Sequence, residues 1–105
     1  MAVFTVPKSA GSKRQNRFAF RIAEGGKVYS VPFLQYLSGR GATFIQSGIE
    51  SKLDEASLTR GLIALECPEV AEAIEGLSID QIGALSKAWA DASTVSLGEL
   101  PGSES

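Results

Sequence analysis

The chain has 105 residues, enough for one domain, and its 44% hydrophobic and 21% charged side chains are a globular composition rather than a disordered or fibrous one. It contains no histidine and a single cysteine, Cys67, which excludes an internal disulfide and the usual base of serine, cysteine and zinc enzymes. The net charge of −2 hides a split: residues 1–40 carry seven basic side chains and one acid, a net +6, and residues 41–105 carry three basic and eleven acidic ones, a net −8.

Residues 1–16 read as a flexible basic arm. Val3, Phe4 and Val6 alternate weakly before Pro7, and Lys8 to Asn16 has no apolar period and many turn formers. Phe18, Phe20 and Ile22 alternate with Ala19, Arg21 and Ala23, the period of a strand. Gly25-Gly26 suits a two-residue hairpin turn, and residues 27–31 suit the return strand. That turn sets Glu24 opposite Lys27, Ile22 opposite Tyr29 and Phe20 opposite Val31, with all four apolar residues on one face.

Pro32 suits the first position of a short helix through Phe33, Leu34 and Leu37, ending at Ser38-Gly39. Gly39-Arg-Gly41 reads as an interhelix turn. Residues 42–53 carry Phe44, Ile45, Ile49 and Leu53 at helical spacing. Asp54 is a cap for a third helix with Leu58, Leu62, Ile63 and Leu65 toward the core. Cys67-Pro68 breaks it, and Pro68 opens a fourth helix that stops at Gly76. Ser78-Ile-Asp-Gln81 has the spacing of a capping box. It opens a fifth helix with Ile82, Leu85, Ala88 and Trp89 on one side. Residues 93–105 read as a flexible C-terminal tail. The fold expected is α+β: one N-terminal β-hairpin, then four or five short helices, in one mostly helical domain over residues 17–92.

Chemistry-bearing patterns are thin. No serine has a histidine partner, and Ser86 and Lys87 are adjacent helical residues that do not face each other. Glu69, Glu72 and Glu75 share a helix face but lack the pattern of a calcium loop, so a solvated face is the better reading. Cys67 reads as a small buried residue rather than a nucleophile. No catalytic, cofactor or metal residue is assigned. Lys8, Lys13, Arg14, Arg17 and Arg21 with Phe18 and Phe20 could stack single-stranded bases, but those aromatics share the expected core face and a pI of about 5.1 opposes a dedicated nucleic-acid binder. No apolar run exceeds four residues, too few to span a bilayer, and the N-terminus lacks the apolar core of a secretory signal, so a cytoplasmic protein is expected.

Two segments carry a resemblance. Lys27-Val-Tyr-Ser-Val-Pro-Phe-Leu-Gln-Tyr-Leu37 resembles the strand-then-proline start of the tail assembly chaperones of long-tailed, siphovirus-type bacteriophages, especially those of actinobacteria. Asp80 to Ala92, with Leu85-x-x-x-Trp89 and then Ser96-Leu-Gly-Glu99, resembles their C-terminal helix, and Pro68-Glu69 sits where they turn between helices. The similarity spans residues 17–100. It implies a non-enzymatic protein of the host cell cytoplasm that needs no cofactor. Such proteins coat the long, helical tape measure protein and keep it soluble before the tail tube forms around it. It also implies a longer form made by programmed frameshifting, diverging within residues 93–105.

More apolar stripe is expected on the helices than so small a core can cover, which points to self-association and client binding there. The candidate partner-binding residues are Phe33, Leu34, Tyr36, Leu37, Phe44 and Ile45, with Tyr36 the one expected to be exposed. Two other classes stay open: a structural virion or head–tail joining protein, and a small nucleic-acid-binding regulator using the basic arm.

Overall fold

The structure, a computed structural model, describes residues 2–93. Strands β1 (Arg17–Arg21) and β2 (Val28–Pro32) form an antiparallel hairpin. Four α-helices follow among the described residues: α1 (Gly39–Glu50), α2 (Glu55–Glu66), α3 (Ala71–Glu75) and α4 (Ile79–Ala92). This is the expected α+β architecture of a hairpin followed by helices.

The hairpin's register differs from the expected one by two residues. Phe20 faces Tyr29 and Phe18 faces Val31. The reason lies in the turn. Gly26 N–H donates to the Ala23 carbonyl, so Glu24 and Gly25, not Gly25 and Gly26, occupy its centre. Only Gly25 adopts a positive φ, at 79°, which a glycine takes without the Cβ clash of other residues. Moving the turn centre by one residue shifts the register by two, which preserves the faces. The Phe18, Phe20 and Tyr29 rings still lie together, Phe20 at 6.0 Å from Phe18 and 5.9 Å from Tyr29 between centroids.

Pro32 ends β2 instead of opening a helix. Phe33 N–H donates to the Asn16 carbonyl, and hydrogen-bonded pairs alternate along an antiparallel ladder. The bonded pairs are therefore 16:33, 18:31 and 20:29, and Pro32 falls on a pair that asks no N–H of it. The expected first helix is a single 3-10 turn, Leu34–Tyr36.

Gly39-Arg-Gly41 is not an interhelix turn but the first turn of α1. Ser38 caps it, its Oγ accepting from Gly41 N–H. Both Ser38 N–H and Oγ donate to the Glu66 carboxylate at 3.1 and 2.8 Å, which ties this cap to the end of α2. Gly41 and Gly48 lie on the face of α1 that meets α2. A Cβ at either would run into Glu66 and Leu62, or into Leu58 and Leu53. Glycine here lets the two helices approach closely, which offsets its poor helix propensity.

Helix α1 stops at Glu50, short of the expected residue 53. Lys52 has a φ of 60°, and its N–H donates to the Ile49 carbonyl while Leu53 N–H reaches back to Gly48. These bonds satisfy the last carbonyls and turn the chain out of the helix, leaving Leu53 exposed. Asp54 does occupy the N-cap of α2. Cys67 ends α2, Pro68–Val70 forms a 3-10 turn into α3, and the expected Ser78/Gln81 capping box opens α4.

Helix α2 is the central element, packed by α1, α3, α4 and β2. The core joins Phe20 and Val31 of the hairpin to Leu34, Ile45, Leu62, Ile63, Val70, Ile74, Ile82 and Trp89. On α4 the buried positions are Ile82, Ser86 and Trp89. Ala88, expected inside, is exposed. Ser86 takes the inward place because Thr59 Oγ1 on α2 donates to its hydroxyl at 3.1 Å. Arg60 does what sequence periodicity could not show. Its guanidinium donates to the Ile74 carbonyl at 2.7 Å and to those of Glu75 and Leu77, fastening the end of α3 to α2.

Candidate functional site

The two segments that carry the resemblance meet in space. Trp89 is 1% exposed, and its Nε1–H donates to the Pro32 carbonyl at 2.9 Å. One turn later Ser93 Oγ accepts from Leu34 N–H at 2.9 Å. The strand-then-proline segment leaves the ladder here, so its backbone groups need new partners. The last helix supplies both, across 57 and 59 residues of sequence.

The six candidate partner-binding residues divide. Leu34 and Ile45 are 2% and 1% exposed and belong to the core, so their side chains are not offered to a partner. Leu37 and Phe44 are half-buried and pack against the core, Phe44 with its ring over Gly61 of α2. Phe33 and Tyr36 are half-buried and lie outside that cluster. Tyr36 is thus less exposed than expected; its backbone carbonyl lies close to Gly11.

The expected surplus of apolar stripe on the helices is small. Of the helical half, Leu53 and Ile79 are the large hydrophobics left exposed. The greatest exposure lies in the arm instead, at Val3, Phe4 and Val6, each 80% or more. The rest of the arm is tied down. Residues 10–12 and 14–16 form 3-10 turns, Asn16 Nδ2 donates to the Ala10 carbonyl, and Arg17 donates to the Gly11 carbonyl and to the Ser30 hydroxyl and carbonyl. Ser93, expected to begin the flexible tail, is instead buried and bonded to Leu34; residues 94–105, the rest of the expected tail with Ser96 to Glu99, lie outside the described residues.

Arg17 and the two phenylalanines sit on opposite faces of the hairpin. Phe18 and Phe20 face the helices, whereas Arg17 shares the outer face with Ser30. There a shallow depression of about 500 Å³ is lined by Arg14, Arg17, Ser12, Ser30 and Val28. Phe18 and Phe20 therefore offer bases no stacking surface beside these arginines.

Lys27 and Glu69 form an exposed ion pair at 2.9 Å between the hairpin and the chain before α3. Their hydrogen bond and mutual charge hold the Glu69 carboxyl below its ordinary range and raise Lys27. Glu72 and Glu75 are solvated. Cys67 is buried, and desolvation first, with the nearby Glu69 carboxylate second, pushes its thiol up. No buried side-chain nitrogen or oxygen among the described residues lacks a partner, and no described helix is long and apolar enough to cross a membrane. No family model matches this sequence, and neither a curated protein nor a solved structure is significantly similar to it.

Proposed function

We propose that this protein is a phage tail assembly chaperone, a non-enzymatic binder that keeps the tape measure protein soluble in the host cytoplasm during tail morphogenesis. The observation that carries this reading is the joint at Trp89. Residues 27–37 and 80–92, each resembling a separate stretch of those chaperones, lock together through Trp89 to Pro32, and Ser93, the next residue after the second stretch, adds a bond to Leu34. Two resemblances that are far apart in sequence are thus two halves of one structural unit. In the helical part, the apolar residues left to a client are Phe33 and Tyr36 beside that joint, Leu53 after α1 and Ile79 at the start of α4. Apolar contacts of this kind bury area, whereas exposed charges mainly set encounter rate.

Co-expression with the tape measure gene of the same genome tests the reading. The expected result is a soluble tape measure protein that co-purifies with this chain. A tape measure protein that stays insoluble and captures nothing overturns it. The rival reading, a structural virion or head–tail joining protein, expects this chain in mature virions at ring or tube stoichiometry by mass spectrometry, where a chaperone is absent. A longer frameshifted form expects a slippery heptamer in the codons for residues 95–105.

A further inference from the structure

We propose that residues 2–6 of one copy add as a third strand to the free edge of β1 in a second copy. The donor is on the page. Val3, Phe4 and Val6 are 82%, 82% and 80% exposed, an unusual outlay of apolar surface for a segment packed on nothing. Val-Phe-Thr-Val is built of strong strand formers, and Pro7 sets its limit. Five residues, Ala2 to Val6, match the five of β1.

The acceptor follows from the register. With bonded pairs at 18:31 and 20:29, the N–H and C=O groups of Ala19 and Arg21 and the C=O of Arg17 point away from β2, while Arg17 N–H is already spent on the Arg14 carbonyl. Ala19 at the centre of this edge is exposed. The other edge is closed to strand addition. Pro32 has no N–H, Arg17 occupies the Ser30 carbonyl, and the 3-10 turn at Ala10–Ser12 packs beside β2 with Gly11 against Pro32 and Tyr36. An open edge is a template for another chain unless something guards it, and Arg17, which could guard β1, is drawn across to Ser30 instead.

The apolar faces also continue. Phe18 and Ile22 are only half-buried, although both pack toward the core. In an added strand Phe4 and Val6, two apart, fall on the same face as Phe18 and Phe20 and cover that flank. The occupant is a second copy rather than the arm's own hairpin. The arm leaves the domain beside β2, where Gly11 is fixed, on the far side from the β1 edge. Each copy offers one donor and one acceptor, so two arms can exchange reciprocally. At about 150–250 Å² for an aromatic side chain, two five-residue arms bury on the order of 1,000 Å² or more in total, which reaches the range of a specific interface. This inference does not depend on the chaperone reading, and its test involves no client.

The test is the mass of the full-length protein by light scattering and sedimentation as a function of concentration. Wild type is expected to dimerise. Phe4→Ser with Val6→Ser removes the donor at exposed positions, so the melting temperature holds while dimerisation weakens at least about a hundredfold. Ala19→Pro removes the acceptor, since Ala19 N–H points away from β2, and is likewise expected to be monomeric. Mixing the two variants restores one of the two exchanges, so a 1:1 heterodimer is expected that is weaker than the wild-type dimer but tighter than either variant with itself. The donor strand carries no charged side chain and its neighbour Lys8 has the same sign as Arg17 and Arg21 of the acceptor, so added salt strengthens association or leaves it unchanged. A monomeric wild type at about 100 μM overturns the proposal. So does a serine variant of wild-type mass, or an association that salt abolishes, which would belong to the charge split instead.

Discussion

Trp89→Phe is the substitution that most directly tests the joint between the hairpin and α4. Trp89 is 1% exposed and spends its Nε1–H on the Pro32 carbonyl. Phenylalanine fits the site but fills less of it and donates nothing. A buried carbonyl left without its partner costs about 1–3 kcal/mol, and the lost ring contacts and residual cavity add about 1–2 kcal/mol. The sum, about 2–5 kcal/mol, is a large share of the ~5–15 kcal/mol by which small domains are stable. At about 4–8 °C per kcal/mol for a domain near this size, the melting temperature is expected to fall by roughly 8–40 °C. Urea unfolding followed by far-UV circular dichroism is the assay, because Trp89 is the only tryptophan and its fluorescence is lost with it. Ser93→Ala removes the neighbouring acceptor of Leu34 N–H and is expected to cost about 1–3 kcal/mol. Both variants release the same short segment, so the double variant loses less than the sum of the two. A Trp89→Phe loss below about 1 kcal/mol, the range of ordinary surface changes, or strict additivity with Ser93→Ala, would refute the reasoning.

Arg60→Met keeps the aliphatic stem but frees three carbonyls at the end of α3. It is expected to lower stability by about 1.5–3 kcal/mol in urea titration, with Arg60→Lys recovering only part because it lacks the planar fork. Lys52 sits at a left-handed position that disfavours any side chain with a Cβ, so Lys52→Gly is expected to raise stability by about 0.5–1 kcal/mol after glycine's own entropy cost. A neutral or destabilised Lys52→Gly contradicts the helix end described. Cys67 is expected to react with a thiol reagent at least about tenfold slower in the native protein than in denaturant, where one thiol per chain titrates. The depressed Glu69 carboxyl adds stability above its unfolded pKa of about 4.3 that is lost as pH falls through its lower folded value. The raised Lys27 loses its share only as pH rises through its folded value, in the strongly alkaline range. Melting temperatures of wild type and Lys27→Met should therefore differ slightly at neutral pH and converge in strong acid, and a gap that widens there contradicts the pairing.

Local patterns in the sequence determined the element types. Alternation at Phe18, Phe20, Tyr29 and Val31 specifies a half-buried hairpin. Ser78 with Gln81, Asp54, and Cys67-Pro68 mark helix ends through groups that cap or lack a backbone donor. The inward faces of α2 and α4 were largely legible from their 3.6-residue period, apart from Ala88 and Ser86 on α4 and, on α2, Leu65, expected inside but only half-buried and outside the core cluster, and Thr59, which is buried instead. What the sequence could not settle were the choices made between elements. Whether Gly25 or Gly26 takes the positive φ is close to indifferent locally, and the packing of Phe18 and Phe20 beside Tyr29 and Val31 settles it. Gly39 and Gly41 look like a turn until Glu66 arrives to tie the Ser38 cap, and Lys52 ends α1 at a position that local propensity assigns to glycine. The same holds for the surface. Leu34 and Ile45 have the hydropathy of contact residues, but a residue's burial depends on what the rest of the chain leaves uncovered. Only tertiary packing decided that the helices absorb nearly all their apolar stripe and that Val3, Phe4 and Val6 do not.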